Sequence, residues 1–457
     1  MLKKRIHAVF AAAVLIATIA SECQAQYTTD WVANTYGTNS TYVGNGARSM
    51  WVAPEGIIYT ASLWDENEGG VAIYGNRQKM GSIGIHNEFQ GSAITGNATS
   101  IFAALQYDRT NGSGWVGRYN RTSKTRDLSI PVSATTTQTR GDVVTGLATS
   151  GSLLYASDFL GNRVRVFTTD GVWQSDINVA APGALALDSA GNVWVAQENA
   201  GTIAEYSPAG AALNTIQMPA TSRPSALYFD ATAGQLLVGD EGPDMNIKIY
   251  QTVGVSAQPT QPTQVGTFGI QGGYLDTTTG IKGQVGDKRF TRVAGIGKDA
   301  AGNLYVLNNP WGGTWDLGRN GNTDIHSYNS SGTLQWTLQA LNFEGNGAPD
   351  PATDGAYFYG GFNVYTGTAG GTFVANTVDP IDYPSDPRIN MNDTQRGEHF
   401  AQIATVGANR ILVAAGQNPG IFYFFHFNAA NGYIAIPDGS LPGTAFNAIA
   451  LITGGFC

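Results

Sequence analysis

The chain alternates short apolar segments with glycine-containing turns, and the same pattern returns several times. In its clearest copy, residues 183–207, GALALDSAGNVWVAQENAGTIAEYS holds an apolar strand, a tight turn, a second apolar strand, a loop and an alternating third strand. Related copies begin at Gly146 (GLATSGSLLYASDFLGNRVRVFTTDG) and Gly295 (GIGKDAAGNLYVLNN, resuming as DIHSYNSSG from Asp324). A self-similar unit of about 40 residues with three or four strands is typical of a β-propeller blade.

Seven segments fit this unit and predict an all-β protein, a β-propeller of seven blades, with six as the alternative if a weaker segment is not a full blade. Because a blade cannot bury both of its faces alone, residues 26–457 are predicted to form one domain. The last segment, FNAIALITGGFC, predicts a strand that completes the first blade and removes a free sheet edge. The seven segments are 49–83, 93–132, 146–178, 183–218, 224–251, 294–339 and 402–437.

Two long inserted loops interrupt the repeat, at about residues 252–292 and 343–400. Loops of this length in a compact fold are usually functional or disordered. The second is rich in aromatic residues, which argues against a disordered linker. We expect it to cover the face of the ring on which connections between blades emerge.

The first 25 residues have the pattern of a signal peptide. A basic stretch, Lys3-Lys4-Arg5, precedes the apolar run AVFAAAVLIATIA, and a small residue, Ala25, ends the segment. The apolar run is shorter than the roughly 20 residues that cross a bilayer, and no second run of that length follows. The sequence therefore predicts a secreted or periplasmic protein without a membrane span.

Composition narrows the choice of partner. The formal net charge is −9, which argues against nucleic acid because phosphate binding needs a basic patch. Only 13% of the residues are charged, while 59 glycines indicate many turns and a neutral polar surface. We therefore expect a monomer whose partner is a polar small molecule or a glycan.

The repeats resemble those of the NHL-repeat and gluconolactonase (regucalcin)-like families of β-propellers. The matching pieces are the three copies quoted above, which cover about a third of the chain strongly. The resemblance implies the fold, while propellers of this kind serve as lactonases, lyases, glycan-active enzymes and binding scaffolds. In the lactonase branch a divalent metal is held in the central channel, but the local motifs of that branch are absent here. The zinc-binding and cysteine pattern of the NHL-type lyases is absent as well.

The ends of the second strands provide the first candidate site. Aligning LYASD, WVAQE, LVGDE and YVLNN places Asp158, Glu198, Glu241 and Asn309 at one position in four consecutive blades. Convergent carboxylate and amide oxygens suit Ca²⁺ or Mg²⁺, or the hydroxyl groups of a sugar. An acidic residue at this position can equally cap its own loop by accepting backbone hydrogen bonds. Asp65 and Glu66 follow the corresponding strand of the first blade.

A second group of candidates lies in loops that enter a new blade on the same expected face. Arg396, Glu398 and His399 form a compact trio suited to acid–base chemistry and anion binding, and His86 has a similar position. Trp311, in the glycine-rich loop after Asn309, offers an aromatic surface for a sugar ring. A structural role is the alternative for each of them.

The sequence leaves three functions open. The protein is a non-catalytic propeller that binds a polar ligand such as a carbohydrate, a carbohydrate- or lactone-active lyase or hydrolase that uses the same face, or a protein-interaction scaffold. No GxSxG, HExxH, CxxC or P-loop motif occurs, so serine-hydrolase, zincin, redox and nucleotide chemistry have no motif in their favour.

Overall fold

Aspartate side chains and glycines build the tight turns between strands. Asp188 Oδ1 accepts the backbone N–H groups of Ala190 (2.9 Å) and Asn192 (2.8 Å), and Gly191 within the turn has φ of +82°. Such a side-chain turn mimics a backbone turn, and glycine adopts a positive φ without steric cost. The Asp-Ser-Ala-Gly-Asn sequence therefore reverses the chain between two antiparallel strands.

The structure is a computed structural model. It describes residues 32–34, 45–64, 70–75, 78–83, 88–108, 114–133, 143–252, 261–273, 276, 278, 286–290, 292–308, 323–341, 347–350, 355–358, 363–366, 373–375, 400–406, 408–415, 422–428 and 432–435.

The first strand, β1 (Val32–Asn34), precedes a series of antiparallel sheets whose strands are joined in chain order. Sheet 1 comprises β2 (Asn45–Val52), β3 (Ile58–Trp64), β4 (Val71–Gly75) and β5 (Gln78–Ile83). Sheet 2 comprises β6 (Glu88–Gly96), β7 (Ser100–Asp108), β8 (Trp115–Asn120) and β9 (Arg126–Pro131). Sheet 3 comprises β10 (Val144–Ser150), β11 (Leu153–Asp158), β12 (Arg163–Thr168) and β13 (Trp173–Asn178).

Sheet 4 contains a single 3₁₀ turn, η1 (Glu198–Ala200), between its second and third strands. Its strands are β14 (Leu185–Leu187), β15 (Val193–Gln197), β16 (Thr202–Tyr206) and β17 (Ala212–Gln217). Sheet 5 comprises β18 (Pro224–Asp230), β19 (Gln235–Asp240), β20 (Ile247–Gln251) and β21 (Thr263–Phe268). Sheet 6 comprises β22 (Val293–Lys298), β23 (Leu304–Asn308), β24 (Asp324–Tyr328) and β25 (Leu334–Leu341). Strand β1 pairs in parallel with β25 as a fifth strand.

Two more sheets follow along the chain. Sheet 7 comprises β26 (Gly347–Asp350), β27 (Gly355–Phe358), β28 (Asn363–Thr366) and β29 (Phe373–Ala375). Sheet 8 comprises β30 (Phe400–Val406), β31 (Asn409–Ala415), β32 (Phe422–Asn428) and β33 (Gly432–Ala435). The two sheets contact each other through β26 and β30. Among the described residues no helix is long and apolar enough to cross a membrane.

Sheets 1 to 6 meet in a closed ring around their first strands. Successive first strands contact each other from β2 through β6, β10, β14 and β18 to β22, and β22 contacts β2 again. A separate buried hydrophobic cluster lies between each pair of neighbours, including sheet 6 with sheet 1, where Met50 and Tyr74 pack with Leu307 and Ile325. All six first strands line a central channel of about 210 Å³.

Small residues bring the first strands into close contact. A Cβ atom on Gly146 would lie 2.2 Å from the carbonyl oxygen of Gly183, and one on Gly295 would lie 2.6 Å from Cβ of Met50. Hydroxyl groups add hydrogen bonds between sheets, for example Ser92 Oγ to the Val144 carbonyl (2.7 Å) and Ser225 Oγ to the Val293 carbonyl (2.6 Å). Each sheet is therefore joined to its neighbour by backbone contact as well as by apolar packing.

The prediction of an all-β propeller is confirmed, while three details differ. The segment 224–251 takes its fourth strand, β21, from the predicted insertion 252–292. The predicted insertion 343–400 contains the four strands of sheet 7. Among the described residues, six sheets close the ring, and the segment predicted as the seventh blade forms sheet 8, which packs against sheet 7. The signal peptide and the FNAIALITGGFC segment lie outside the described residues.

Gly295→Ala tests the closure between sheets 6 and 1. The added methyl group has no room beside Met50, so we expect a loss of unfolding free energy of about 1–3 kcal/mol, as for other overpacked sites. Gly286→Ala is the matched control, because no atom lies within 4 Å of a Cβ at that position. Urea unfolding followed by tryptophan fluorescence measures both, and equal stabilities for the two variants would contradict this account of the closure.

Candidate functional site

The loops that form the site lie on one face of the ring. In each sheet the first strand begins, the second strand ends and the connection from the previous sheet arrives on the same side, because consecutive strands run antiparallel. We call this side the site face. The residues before β18 and β22 and the residues after β15 and β19 therefore lie there together.

Asp240, at the end of β19, holds the segment before β18 against the segment after β19. Its Oδ1 accepts the backbone N–H groups of Arg223 and Gly242, both at 2.8 Å. The backbone N–H of Glu241 in turn donates to the Arg223 carbonyl at 3.0 Å. The buried carboxylate of Asp240 is balanced by Lys248, whose Nζ lies 3.2 Å from Oδ2. Arg223 and Glu241 are thus fixed side by side.

Arg292, just before β22 in sheet 6, binds the carboxylate of Glu241. Its Nε lies 3.3 Å from Glu241 Oε2 and its Nη2 lies 3.2 Å from Oε1, so both carboxylate oxygens accept from one guanidinium group. Arg223 Nη1 lies 3.9 Å from Oε1. Arg292 has φ of +26°, a backbone conformation that side chains other than glycine rarely adopt. Backbone strain of this kind accumulates at functional sites.

Glu198 completes the group from sheet 4, where it opens η1 after β15. Gly201 ends this turn with φ of +63°, which brings the chain back into β16. Glu198 is exposed to solvent, and its carboxyl group interacts electrostatically with that of Glu241. We call Glu198, Glu241, Arg223 and Arg292 the carboxyl–arginine cluster.

The carboxyl groups of Glu198 and Glu241 have pKa values shifted in opposite directions. Loss of hydration, followed by the negative charge of Glu241, raises the pKa of Glu198 to about 8. Burial would also raise the pKa of Glu241, but Arg292, the hydrogen bond with Glu198 and Arg223 outweigh it and lower that pKa. The opposite shifts therefore favour the proton of the pair on Glu198 rather than on Glu241.

This arrangement combines a proton donor with an excess of positive charge. With Glu198 neutral and Glu241 ionised, the cluster carries one negative and two positive charges. Glu241 and Arg292 are nearly buried, whereas 44% of the Arg223 side chain is exposed. The solvent-facing part thus offers a guanidinium group and a carboxylic acid. Pairs of titratable groups with separated pKa values are also typical of acid–base sites.

Asp158 does not join this cluster. Its Oδ1 accepts the backbone N–H of Gly161 (2.9 Å), and its Oδ2 binds Arg163 Nε (3.0 Å), so both oxygens stabilise its own loop. The strand register explains the difference: Asp158 pairs with Val144 as Asp240 pairs with Pro224 and Asn308 with Val293. The sequence alignment of Asp158 with Glu241 was one residue out of register, so here the capping alternative holds.

Eight other candidates lie outside the described residues: Asp65, Glu66, His86, Asn309, Trp311, Arg396, Glu398 and His399. The sequence reasoning missed Arg223 and Arg292. Each immediately precedes the first strand of a blade, in adjacent blades, and that shared position was the available signal.

The described donors do not fit a divalent cation held jointly by Asp158, Glu198 and Glu241. Asp158 uses both of its oxygens for its own loop, and Arg292 occupies both oxygens of Glu241. Among the described residues no three His, Cys, Asp or Glu side chains are grouped to hold a metal ion. These three residues therefore do not form the Ca²⁺ or Mg²⁺ site that the sequence suggested.

The chain is similar over part of its length to one protein family and to solved structures. A family model described as the SMP-30/Gluconolactonase/LRE-like region matches residues 110–239. A protein of unknown function from Bacteroides caccae is 14% identical with a TM-score of 0.43, covering 62% of this chain and 93% of that one. Virginiamycin B lyase from Staphylococcus aureus is 12% identical with a TM-score of 0.42, covering 83% and 94%. No curated protein matches the sequence.

The family match confirms the resemblance inferred from the repeats. The match covers residues 110–239, and the sheet architecture is that of a β-propeller. Glu198 and Arg223 lie inside the matched stretch, whereas Glu241 and Arg292 lie beyond it. The cluster as a whole therefore has to be judged by its own geometry.

The titration of Glu198 gives a test of the cluster. Its pKa in the folded protein is raised from 4.5 to about 8, so the stability that the proton provides is complete below pH 4.5 and lost as the pH rises to about 8. Glu198→Gln keeps a neutral donor and cannot ionise. We expect the melting temperature of the native protein to fall relative to that of Glu198→Gln across this interval and to stay parallel above it. Parallel curves throughout would show that Glu198 is ionised at neutral pH.

Asp158→Ala tests the assignment of Asp158 to the loop. It leaves the Gly161 N–H and Arg163 without their partner, so we expect a loss of about 1–2 kcal/mol of unfolding free energy. Asp158→Asn keeps an acceptor for Gly161 and should lose less. Chemical denaturation measures both, and an unchanged stability of the alanine variant would contradict the capping role.

Proposed function

We propose that the protein is an exported propeller that binds a carbohydrate bearing a carboxylate group at the mouth of the central channel. The observation that carries the proposal is the exposed Arg223 beside protonated Glu198, in a cluster with net positive charge. A guanidinium group matches a carboxylate in two parallel hydrogen bonds. The Glu198 hydroxyl and carbonyl oxygens can bond neighbouring sugar hydroxyls.

The surrounding features are compatible with such a ligand. Glu241 and Arg292 hold the exposed pair in position and need no ligand for their own charges, because they neutralise each other. The signal-peptide pattern supports export, and the low content of charged residues suits a carbohydrate-facing surface. We also propose that the insertion 343–400 contributes aromatic side chains to the same face.

Binding can be tested with the purified protein and two matched series of oligosaccharides. We expect oligomers of galacturonic or glucuronic acid to bind, and the equivalent galactose or glucose oligomers to bind more weakly, by isothermal titration calorimetry. Arg223→Gln should weaken uronate binding by about tenfold or more, the cost of one charged hydrogen-bond pair. Arg118→Gln, which removes a surface ion pair with Asp170, is the control. Equal binding of acidic and neutral oligomers, or full binding by Arg223→Gln, would reject the proposal.

A lyase or hydrolase acting on the same ligand is the second candidate. The separated pKa values of Glu198 and Glu241 favour it, because bond cleavage in a sugar needs a proton donor and an acceptor. We expect turnover to decline above pH 8, where Glu198 loses its proton, and to be lost in Glu198→Gln while the fold and uronate binding persist. Reducing-end formation and the ultraviolet absorbance of unsaturated uronates measure it. Binding without either product would leave the non-catalytic function.

A further inference from the structure

A buried lysine is linked to the segments that carry Arg223 and Glu241. Lys248 lies in β20 and is 2% exposed, and its Nζ lies 3.2 Å from Asp240 Oδ2 and 2.5 Å from Asp244 Oδ2. Asp240 is completely buried. The ammonium group therefore joins the end of β19 to the loop that precedes β20.

The two oxygens of Asp240 have different partners. Oδ1 accepts the backbone N–H groups of Arg223 and Gly242, both at 2.8 Å, while Oδ2 lies beside the ammonium group of Lys248. A buried carboxylate without a cation is unfavourable, so the ion pair determines which oxygen is left for the backbone. Lys248 thus acts on Arg223 through the orientation of the Asp240 carboxylate.

Asp244 extends this contact to the segment that follows β21. Its backbone carbonyl accepts the N–H of Gly272 at 2.8 Å, and its Oδ1 lies 3.4 Å from Nε2 of Gln271. That segment continues to Arg292, the second arginine of the carboxyl–arginine cluster. Lys248 therefore lies between two segments that both lead to the cluster.

Sheet 3 has the same backbone contact without the cluster. The N–H of Phe159 donates to the Val143 carbonyl at 3.0 Å, as the equivalent residues do in sheet 5. The equivalent ion pair joins Asp158 to Arg163, but Asp158 Oδ1 accepts an N–H of its own loop. In sheet 5 the carboxylate also holds the incoming residue, Arg223, and this contact is the one that matters for the site.

We propose that Lys248 is a positioning residue for Arg223, which it holds through Asp240 in the place where the carboxylate of the ligand binds. This role rests on the proposed function, since Arg223 is the group that would contact a uronate. The Lys248 side chain is buried and contacts Asp240 and Asp244, so its effect on the ligand is indirect. It should therefore influence affinity for the acid group rather than for the sugar hydroxyls.

Asp240→Asn tests this role with a residue of the same shape. An amide has one accepting oxygen and one donating nitrogen, and the ammonium group of Lys248 takes the oxygen. The nitrogen then meets the N–H of Arg223, which loses its acceptor. We expect galacturonate oligomers to bind about tenfold more weakly by calorimetry. In Asp240→Asn/Lys248→Met no ammonium group competes for the oxygen, so the second substitution should restore binding.

The titration of Glu198 provides a measurement that needs no ligand. Burial, followed by the charge of Glu241, raises its pKa to about 8, and the positive charge of Arg223 opposes this shift. Displacement of Arg223 in Asp240→Asn should therefore raise the pKa further. Loss of the negative charge at residue 240 would by itself lower it, so a rise reports the movement of Arg223. NMR of the Glu198 carboxyl carbon follows the titration.

Arg163→Met is the matched control, because it breaks the equivalent ion pair with Asp158 in sheet 3. It should lower the stability in urea without changing uronate binding or the pKa of Glu198. Should Asp240→Asn fail to fold, Lys248→Met takes its place in the calorimetry, because it leaves the carboxylate without its cation.

Any of three results would overturn the positioning role. Folded Asp240→Asn binds uronates as the native protein does or shows no rise in the pKa of Glu198, the double variant does not recover binding, or Arg163→Met weakens binding equally. If the native protein binds no uronate, the proposed function fails, and the titration of Glu198 in Asp240→Asn alone decides the role of Lys248.

Discussion

The close contact of the first strands around the channel is the constraint on which the rest of the structure depends. At Gly146, Gly239 and Gly295 a side chain would collide with the neighbouring sheet, so these positions allow the backbones to approach. A hydrophobic cluster then fills each space between sheets, and the sixth cluster joins sheet 6 to sheet 1. Because every sheet depends on both neighbours, the ring closes as a unit and its rim becomes a rigid support for the loops.

The packed ring fixes the loops on the site face relative to one another. Glu198, Arg223 and Arg292 come from three successive sheets or the segments that enter them, and they meet on Glu241, which is 9% exposed. A buried carboxylate is tolerated there because a guanidinium group holds both of its oxygens. Loss of hydration, followed by the negative charge of Glu241, raises the pKa of Glu198, and the two arginines oppose this shift.

The two faces of the ring manage charge differently. On the site face, arginines balance the acids and leave an excess of positive charge, whereas Asp188 and Glu205 on the other face have only amides as neighbours. On that other face the blades also differ from one another, since Glu205 in sheet 4 has the position that Ser327 has in sheet 6. The repeated blade therefore determines where the loop residues lie, and the residue type at each position differs from blade to blade.

The sequence by itself determined the local structure. Alternating apolar residues predicted the strands, and the Asp-Ser-Ala-Gly-Asn turn predicted a hairpin, because both depend on neighbours within a few residues. Tertiary structure alone decided the rest. Whether six or seven units close the ring depends on how the sheets pack. The strand register makes Asp158 equivalent to Asp240 rather than to Glu241. Arg223 and Arg292 are 69 residues apart in the chain, and the packing of sheet 6 against sheet 5 brings both guanidinium groups to one carboxylate.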